Sequence, residues 1–562
     1  APVFTTPVFT TPVLTNSPND RSPVGTNLDG VRSYSPEWNF VEAFAKSRRW
    51  ISGDCPPNGS RWDNAVALSL DIFGWPLGFA KTAAACPHTL VFDNLAGKYP
   101  KGIYTLKWEG EGGIRVFFDS SQTFSAIAGR AQFQVNPTNA GLRIMITDSN
   151  PQRPLRNIQL FMPGGVCGSS ETTFDQFSYC QRNEDCTAVG TRCLSFESVA
   201  WNRFKDLPAT MHKPKLVFHP TFLSRLRNYR ALRFMDWTAT NHSQIQEFND
   251  VAKTKDQALT GAKGVPYEYA IALSNVLKAD LWLTIPHKAS DSFIEALARL
   301  VKQELNTDRK VYVEYSNETW NSIFSQAKWV IEQGQRLRLS SNAYDAGRLF
   351  HSKRTVEMAK IWYTVYQIST GIKNDRLKIV LAGQSANSYL TDKMMQYQSA
   401  HTYVDAIAIA PYFGGNLGKI TDLAVSVDDL FSKINTTELE EANRQIEQNI
   451  VIARKYSKSL VAYEGGQHLA AVGVGKDNPS LSPVLMAANR DLRMKDVYKR
   501  YLDSWRAEGG DLFMHFNHAS NQSVYGSWGS LNYQTQAQSE APKFDAIMQF
   551  IENNRCWWNS CL

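Results

Sequence analysis

From about residue 215 onward the chain repeats one pattern: a short β-branched or apolar run, then a segment of helical periodicity. The runs fall at 231–237, 280–287, 311–318, 377–384, 406–412, 460–464 and 511–517. A similar run at 24–31 makes eight. Such runs suit parallel strands buried on both faces. Eight strand–helix units predict a (β/α)8 TIM barrel rather than an open doubly wound sheet. The helix expected after the third run has Ser290 or Asp291 as its cap, with Ile294, Leu297, Leu300 and Val301 on one face. The segment 437–456 is acidic at its start and basic at its end, as the helix dipole prefers. No Gly-x-Gly-x-x-Gly follows a strand, which argues against a nucleotide site.

The rest of the chain has other textures. Residues 1–20 repeat Pro-Val-Phe-Thr-Thr, a Pro/Thr-rich arm expected to be extended. It reads either as a tether or as a means of self-association, docking on a neighbouring molecule through its regularly spaced Val, Phe and Leu. Residues 21–50 form the first βα unit, with a helix placing Trp38, Val41, Phe44 and Ala45 on one face. Between 51 and 165, alternating runs such as 103–109 and 114–118 are separated by Gly-rich turns. That predicts an antiparallel β-sandwich inserted after the first βα unit. Residues 166–210 read as a Cys-rich loop, 211–555 as the remainder of the barrel, and 556–562 as a C-terminus pinned by a disulfide.

The eight cysteines, Cys55, Cys86, Cys167, Cys180, Cys186, Cys193, Cys556 and Cys561, lie at irregular spacing with no Cys-x-x-Cys pair. This predicts disulfides in an oxidising, extracellular compartment and no zinc site. Cys55–Cys86 and Cys556–Cys561 are the expected local bridges, with two more among the middle four. The chain begins Ala-Pro-Val, as a secreted product would after cleavage. Sequons at Asn58, Asn241, Asn435 and Asn521 agree with secretion. A net charge of +7 over 562 residues, with Lys and Arg scattered, gives no basic stripe for nucleic acid. No apolar run reaches the roughly 18 residues of a membrane span. Fifteen Trp and 22 Tyr fit a sugar-binding surface, although most rings must serve the core.

The strand ends carry the chemistry. Active groups of such barrels sit at the carboxyl ends of the strands. Here those ends offer Arg233 and Trp237, His287, Asn317 and Glu318, Tyr412, and Glu464. Residues two apart share a face. On that basis Leu281, Leu283, Ile285 and His287 are expected to face inward, as are Leu460, Ala462 and Glu464, and Ala406, Ala408, Ala410 and Tyr412. Regular alternation also puts Glu314 inside with Ser316 and Glu318. Either a bulge near Tyr315 relieves this, or Glu314 pairs with a buried cation. Cleaving a glycosidic bond needs a proton on the leaving oxygen and stabilised charge at the anomeric carbon. Two carboxyl groups about 5–5.5 Å apart give the retaining, double-displacement route. Glu318 is the expected acid and base, and Glu464 the expected nucleophile. Tyr412 and Arg233 are placed to keep Glu464 ionised while Glu318 stays protonated. His287 is a candidate for orienting a sugar hydroxyl, and Trp528 for a sugar platform. His515 and His518 are weaker candidates, and no metal set or cofactor motif is visible.

Asn317-Glu318 after a fourth strand and Glu464 after a seventh resemble the clan A glycoside hydrolases, a retaining (β/α)8 group. The strings 232–237, 313–321 and 463–468 are similar to secreted proteins labelled cellulose-binding or putative glycosidase. That resemblance implies that Asn317 binds the hydroxyl next to the anomeric carbon, and that Arg233, Tyr412 and Trp528 fill the clan's Arg, Tyr and Trp positions. The clan's usual His two residues before the Tyr is Ala410 here. The implied substrate is a β-linked polysaccharide such as cellulose. The alternative is a carbohydrate-binding or extracellular structural protein on the same barrel without turnover. If the site is real, the further sequon at Asn317 should carry no glycan.

Overall fold

In the computed structural model the described residues are 18–56, 61–80, 84–125, 129–211, 213–369, 374–558 and 561. The arm, up to residue 17, and the Asn58 sequon lie outside them. Eight parallel strands close into a barrel in chain order: Val24–Asn27, Ala231–Arg233, Asp280–Ile285, Val311–Tyr315, Leu377–Ala382, Ala406–Ile409, Ser459–Ala462 and Phe513–His515. The eighth pairs back on the first. With helices between them this is a (β/α)8 TIM barrel, as the repeat predicts. Each strand ends before the expected run does, because the chain turns at the mouth. After Tyr315, for example, Ser316 and Glu318 take left-handed φ values of 59° and 40°.

The barrel is a packed core. Alternate strand positions contribute Ala231, Trp282, Tyr312, Val380, Ala406, Ala408, Val461, Tyr463 and Met514 to one interior cluster. The Trp282 and Tyr312 rings stack with centroids 5.1 Å apart, and small alanines on the sixth strand leave room for them. On the first strand, a Cβ added at Gly25 would lie 2.3 Å from Met514 Sδ, so only glycine fits there. Leu281, Leu283 and Ile285, and likewise Leu460 and Ala462, sit instead in the core between strands and helices. The facing expected for the third and seventh strands is therefore reversed. Both faces of a parallel strand are apolar, so hydrophobicity alone does not set its parity. The helix Asp291–Glu304 forms where expected, capped by Ser290 Oγ accepting from Phe293 N at 3.0 Å, and buries Ile294, Leu297 and Val301.

Two antiparallel sheets follow the first barrel strand. One runs in the order Ile51–Gly53, Cys86–Val91, Leu142–Ser149, Gly112–Phe118 and Gln122–Ser125; the other is Arg130–Val135, Gly102–Glu109 and Arg156–Phe161. The helix expected before them shrinks to a single 3-10 turn, Ala43–Lys46. Trp38, Val41 and Phe44 pack into the core of the sheets, whereas Phe40 and Ala45 pack into that of the barrel. A helical stripe covers one surface, and this segment serves two. Below it, Glu42 and Arg203 form a buried ion pair at 3.1 Å, and Arg203 Nη2 donates to the Gln257 carbonyl. These contacts fasten the sheets to the barrel.

The Cys-rich stretch is a third, three-stranded sheet rather than a loop: Thr173–Cys180, Gly165–Ser170 and Arg192–Ser195. Disulfides join Cys55–Cys86, Cys167–Cys186, Cys180–Cys193 and Cys556–Cys561, so the middle four pair in one of their three possible ways. Fully buried apolar side chains are few here, Val166 and Leu194 among them. Covalent closure therefore carries much of the sheet's stability. Replacing Cys180 and Cys193 together with Ser is expected to destabilise the unit by about 3 kcal/mol, the entropy of a loop of this size. Limited proteolysis checks this: cleavage should appear first within 165–195, and a digestion pattern identical to wild type would reject it.

Candidate active site

The short second strand ends on Arg233, which is 0% exposed and organises the mouth. Its Nε and Nη2 donate to the two oxygens of Glu314, both at 3.0 Å. Nη1 donates to Glu464 Oε1 at 2.7 Å and to Asn27 Oδ1 at 3.0 Å. Nη2 also reaches Asn317 Oδ1 at 2.9 Å. Trp282 Nε1 donates to Glu314 at 2.8 Å. Glu314 is thus the inward carboxylate of a buried cation pair, and the fourth strand runs against the third without a bulge. Of the two options left by the sequence, the pairing is the one realised. Burial raises the Glu314 pKa, and the Arg233 guanidinium opposes that rise.

Glu464 lies just past the seventh strand and is 5% exposed. Alternation along that strand would point it outward; the strand ends at Ala462, and Glu464 turns into the mouth. Its second oxygen accepts from the Tyr412 hydroxyl at 2.9 Å. Both oxygens therefore accept from donors, one of them a permanent cation. The half-buried Glu318 has different surroundings. Asn321 Nδ2 donates to it at 2.8 Å and the Tyr463 hydroxyl at 3.3 Å, both neutral groups. Burial first, and the Glu464 carboxylate second, push its pKa up to about 8, against the pull of Asn321, Arg233 and Tyr463. Two carboxyl groups that feel each other across one mouth thus differ in partners, one facing a cation and one facing neutral donors.

Asn317, 1% exposed, is held on both sides. Its Nδ2 donates to Asn241 Oδ1 at 3.0 Å, and Gln326 Nε2 donates to its carbonyl at 2.9 Å. A glycan on this amide nitrogen would break the network, and Asn241 is drawn into the same network. Trp528 is half-buried, with its ring centroid 6.0 Å from Tyr412 and 5.0 Å from His468.

Two expected site residues are not brought here. Trp237 is 1% exposed and packs edge-on to Phe234 and stacked on Phe222, in the core behind the barrel. The second strand ends four residues before it, so it does not share the mouth with Arg233. His287 continues the outward-facing series of the third strand. Its ring packs against Trp329 at 6.0 Å, and burial lowers its pKa to about 4. His515 and His518 are buried, His515 on Tyr498 and His518 on Glu37 at 2.6 Å. Conversely, Asn27, Tyr463, Asn321 and Asn241 join the site without a sequence expectation, and Glu314, expected only as an inward carboxylate, joins it through Arg233. Asn27 offered one signal, a polar residue ending an otherwise small and apolar strand.

Among the described residues, the group of potential metal ligands that comes together is Cys167, Cys180 and Cys186, and all three sulfurs are in disulfides. No described helix is long and apolar enough to cross a membrane.

No family model matches the chain, and no curated protein matches it in sequence. Among solved structures it is similar to a 4-O-α-L-rhamnosyl-β-D-glucuronidase from Fusarium oxysporum (12% identity, TM-score 0.37, covering 62% of this chain and 66% of that one). It is similar to a modular endo-β-1,4-mannanase from Cellulomonas fimi (9%, 0.32, 58% and 62%). It is also similar to a native xylanase from Thermotoga maritima (9%, 0.35, 59% and 89%). The chain spans just under two thirds of the length of the first two.

Proposed function

We propose that this protein is a secreted retaining glycoside hydrolase acting on a β-linked polysaccharide, a β-glucan such as cellulose. One observation carries the reading: Glu318 and Glu464 share a barrel mouth and differ in charge environment. Acid–base catalysis needs one carboxyl that keeps its proton near neutral pH and one that does not. Glu318, with neutral donors and a carboxylate neighbour, gives its proton to the leaving oxygen. Glu464, held by Arg233 and Tyr412, attacks the anomeric carbon. In the second step Glu318, now a carboxylate, takes a proton from water. That water displaces Glu464 from the sugar. Asn317 is fixed by Asn241 and Arg233 and meets the neighbouring sugar hydroxyl, while Trp528 offers a ring face. The four disulfides suit an extracellular protein.

The test is incubation with a panel of soluble β-glucans and mannans, wild type against Glu464→Gln. Products from the wild type that vanish in the variant support the hydrolase. Binding that persists in both, without products, replaces it with the non-catalytic carbohydrate-binding alternative.

The pH dependence follows from Glu318. The acid works only while protonated, so kcat/KM falls as pH rises through its pKa, about 8. Removing the Glu464 charge takes away one of the two causes of the rise. In Glu464→Gln, Glu318 should therefore lose its proton at lower pH than in the wild type. Infrared difference titration of the carboxyl groups reads this directly. An alkaline limb near the ordinary glutamate value of about 4.3 would contradict the assignment.

A further inference from the structure

We propose that the outer face of the inserted five-stranded sheet binds a uronate polysaccharide, with sugar carboxylates on Arg115 and Arg143 and sugar rings on Trp62 and Phe118. This surface is separate from the barrel mouth, and the inference stands with or without the hydrolase reading.

Strand alternation creates the face. In Gly112–Phe118 and Leu142–Ser149 one set of residues, Ile114, Val116, Ile144 and Ile146, fills the core of the sheets. The intervening set, Arg115, Phe117, Arg143 and Met145, therefore points away from that core. Register puts Phe117 opposite Arg143 and Arg115 opposite Met145. The guanidinium carbon of Arg115 lies 4.7 Å from the centre of the Phe117 ring, and that of Arg143 lies 5.6 Å from it. Two cations share one ring.

Their charges are unanswered. Six arginines fall between residues 51 and 165. Four of them, Arg61, Arg130, Arg153 and Arg156, pair with Asp54, Glu197, Glu111 and Glu109. The other two are Arg115 and Arg143, and neither has a carboxylate partner among the described residues. Arg143 Nη2 meets His88 Nδ1 at 3.2 Å, and its buried Nε has no partner among the described residues. A guanidinium only donates, so His88 Nδ1 is the acceptor there. Burial first, and the Arg143 charge second, push the His88 pKa down to about 4, so that ring is neutral. The open groups of this face are donors on two permanent cations. A ligand that completes them is an anion.

The rings say what carries the charge. Trp62 lies over Arg143, with its ring centre 4.8 Å from the guanidinium carbon. It stands nearly parallel to Phe118, with 14° between the planes and 6.4 Å between the centres. Trp62 is 37% exposed and Phe118 51%, which leaves ring surface for a ligand. Arg61 Nε donates to Asp54 Oδ1 at 3.2 Å, and the neighbouring Cys55 is bonded to Cys86 of the sheet, so Trp62 is fixed over the face. Flat apolar ring faces suit the C–H faces of sugars. Rings over a guanidinium cover its flat sides and leave its edge open. A planar carboxylate meets that edge with two parallel N–H bonds in one plane. The oxygens of a tetrahedral sulfate leave that plane and run into the rings.

Affinity electrophoresis of the full chain, in gels that hold a soluble polymer, tests this. Polymannuronate or polygalacturonate should retard the protein more than dextran sulfate or single-stranded DNA at equal charge concentration. Arg115→Gln should weaken the affinity for the uronate polymer about ten-fold, the worth of a charge-assisted hydrogen bond. Lys101→Gln removes an equal charge from an exposed position beside the other sheet and should leave that affinity unchanged. Trp62→Ala keeps the charge and should weaken it about five-fold. Retention by a neutral β-glucan should be the same in all three variants. The inference is overturned by no retention in either uronate polymer, by equal retention in dextran sulfate or DNA, or by an equal loss in Lys101→Gln. It is also overturned if Trp62→Ala has no effect, or if Arg115→Gln weakens retention by the neutral glucan. None of these outcomes touches the hydrolase reading, which turns on Glu464.

Discussion

Glu464→Gln is expected to lower kcat on a soluble β-glucan by at least about 10⁴-fold with little change in KM, because it deletes the attacking group and preserves its shape. The amide keeps the Tyr412 hydrogen bond through its oxygen. It no longer offers the anionic oxygen that Arg233 faces at 2.7 Å. Two further variants separate nucleophile from acid. In Glu464→Ala, an added small anion such as azide can occupy the vacated space and attack from that face. The product should be a glycosyl azide of inverted configuration. In Glu318→Ala the nucleophile is intact, so azide should enter in the second step and give retained configuration. A substrate with a good leaving group should also lose far less rate in Glu318→Ala than one with a poor leaving group. If azide gives the same configuration in both variants, the two roles are wrongly assigned. If Glu464→Gln keeps more than about a tenth of wild-type kcat, the site is elsewhere.

The sequence revealed the barrel more readily than the mouth. Periodicity located all eight strands because each is a short apolar run, seven of them set among helical segments, and burying both faces leaves little else for such a run to be. The same property concealed which way side chains point. Leu281, Leu283 and Ile285 look like an inward series, yet Trp282 is the inward residue. His287 was misplaced with them. Glu464 was identified for an incomplete reason: its strand parity is outward, and the turn after Ala462 brings it into the mouth. Arg233 was legible because its strand alternates regularly up to it, and Tyr412 because the inward series Ala406, Ala408, Ala410 continues to it past the strand's end at Ile409. Trp237 was not, because the strand had already ended. Glu314 was the clearest clue. A carboxylate at an inward position is too costly to bury alone, so either a bulge had to relieve that placement or a buried cation had to meet it inside.

That pairing gives the second large effect. Arg233→Met is expected to destabilise the fold by about 3–5 kcal/mol, since it leaves Glu314 inside the barrel without its cation. Trp282 Nε1 alone cannot compensate a charge in that interior. Adding Glu314→Leu removes the stranded carboxylate and supplies an apolar side chain where Trp282 and Tyr312 already pack. The double variant should recover most of the lost stability in chemical unfolding, because an apolar replacement for a buried ion pair is often neutral or better. Turnover should not recover. Glu464 would still lack its 2.7 Å cationic donor, and Asn317 would lose its anchor at 2.9 Å. Stability and activity thus part company at one residue. On the proposed roles, Arg233 supplies the charge beside Glu464, and Glu314 holds that charge in register. A double variant that regains both stability and turnover would show that the ion pair is only a packing device. A single variant within about 1 kcal/mol of wild type would show that Glu314 is not buried as a charge.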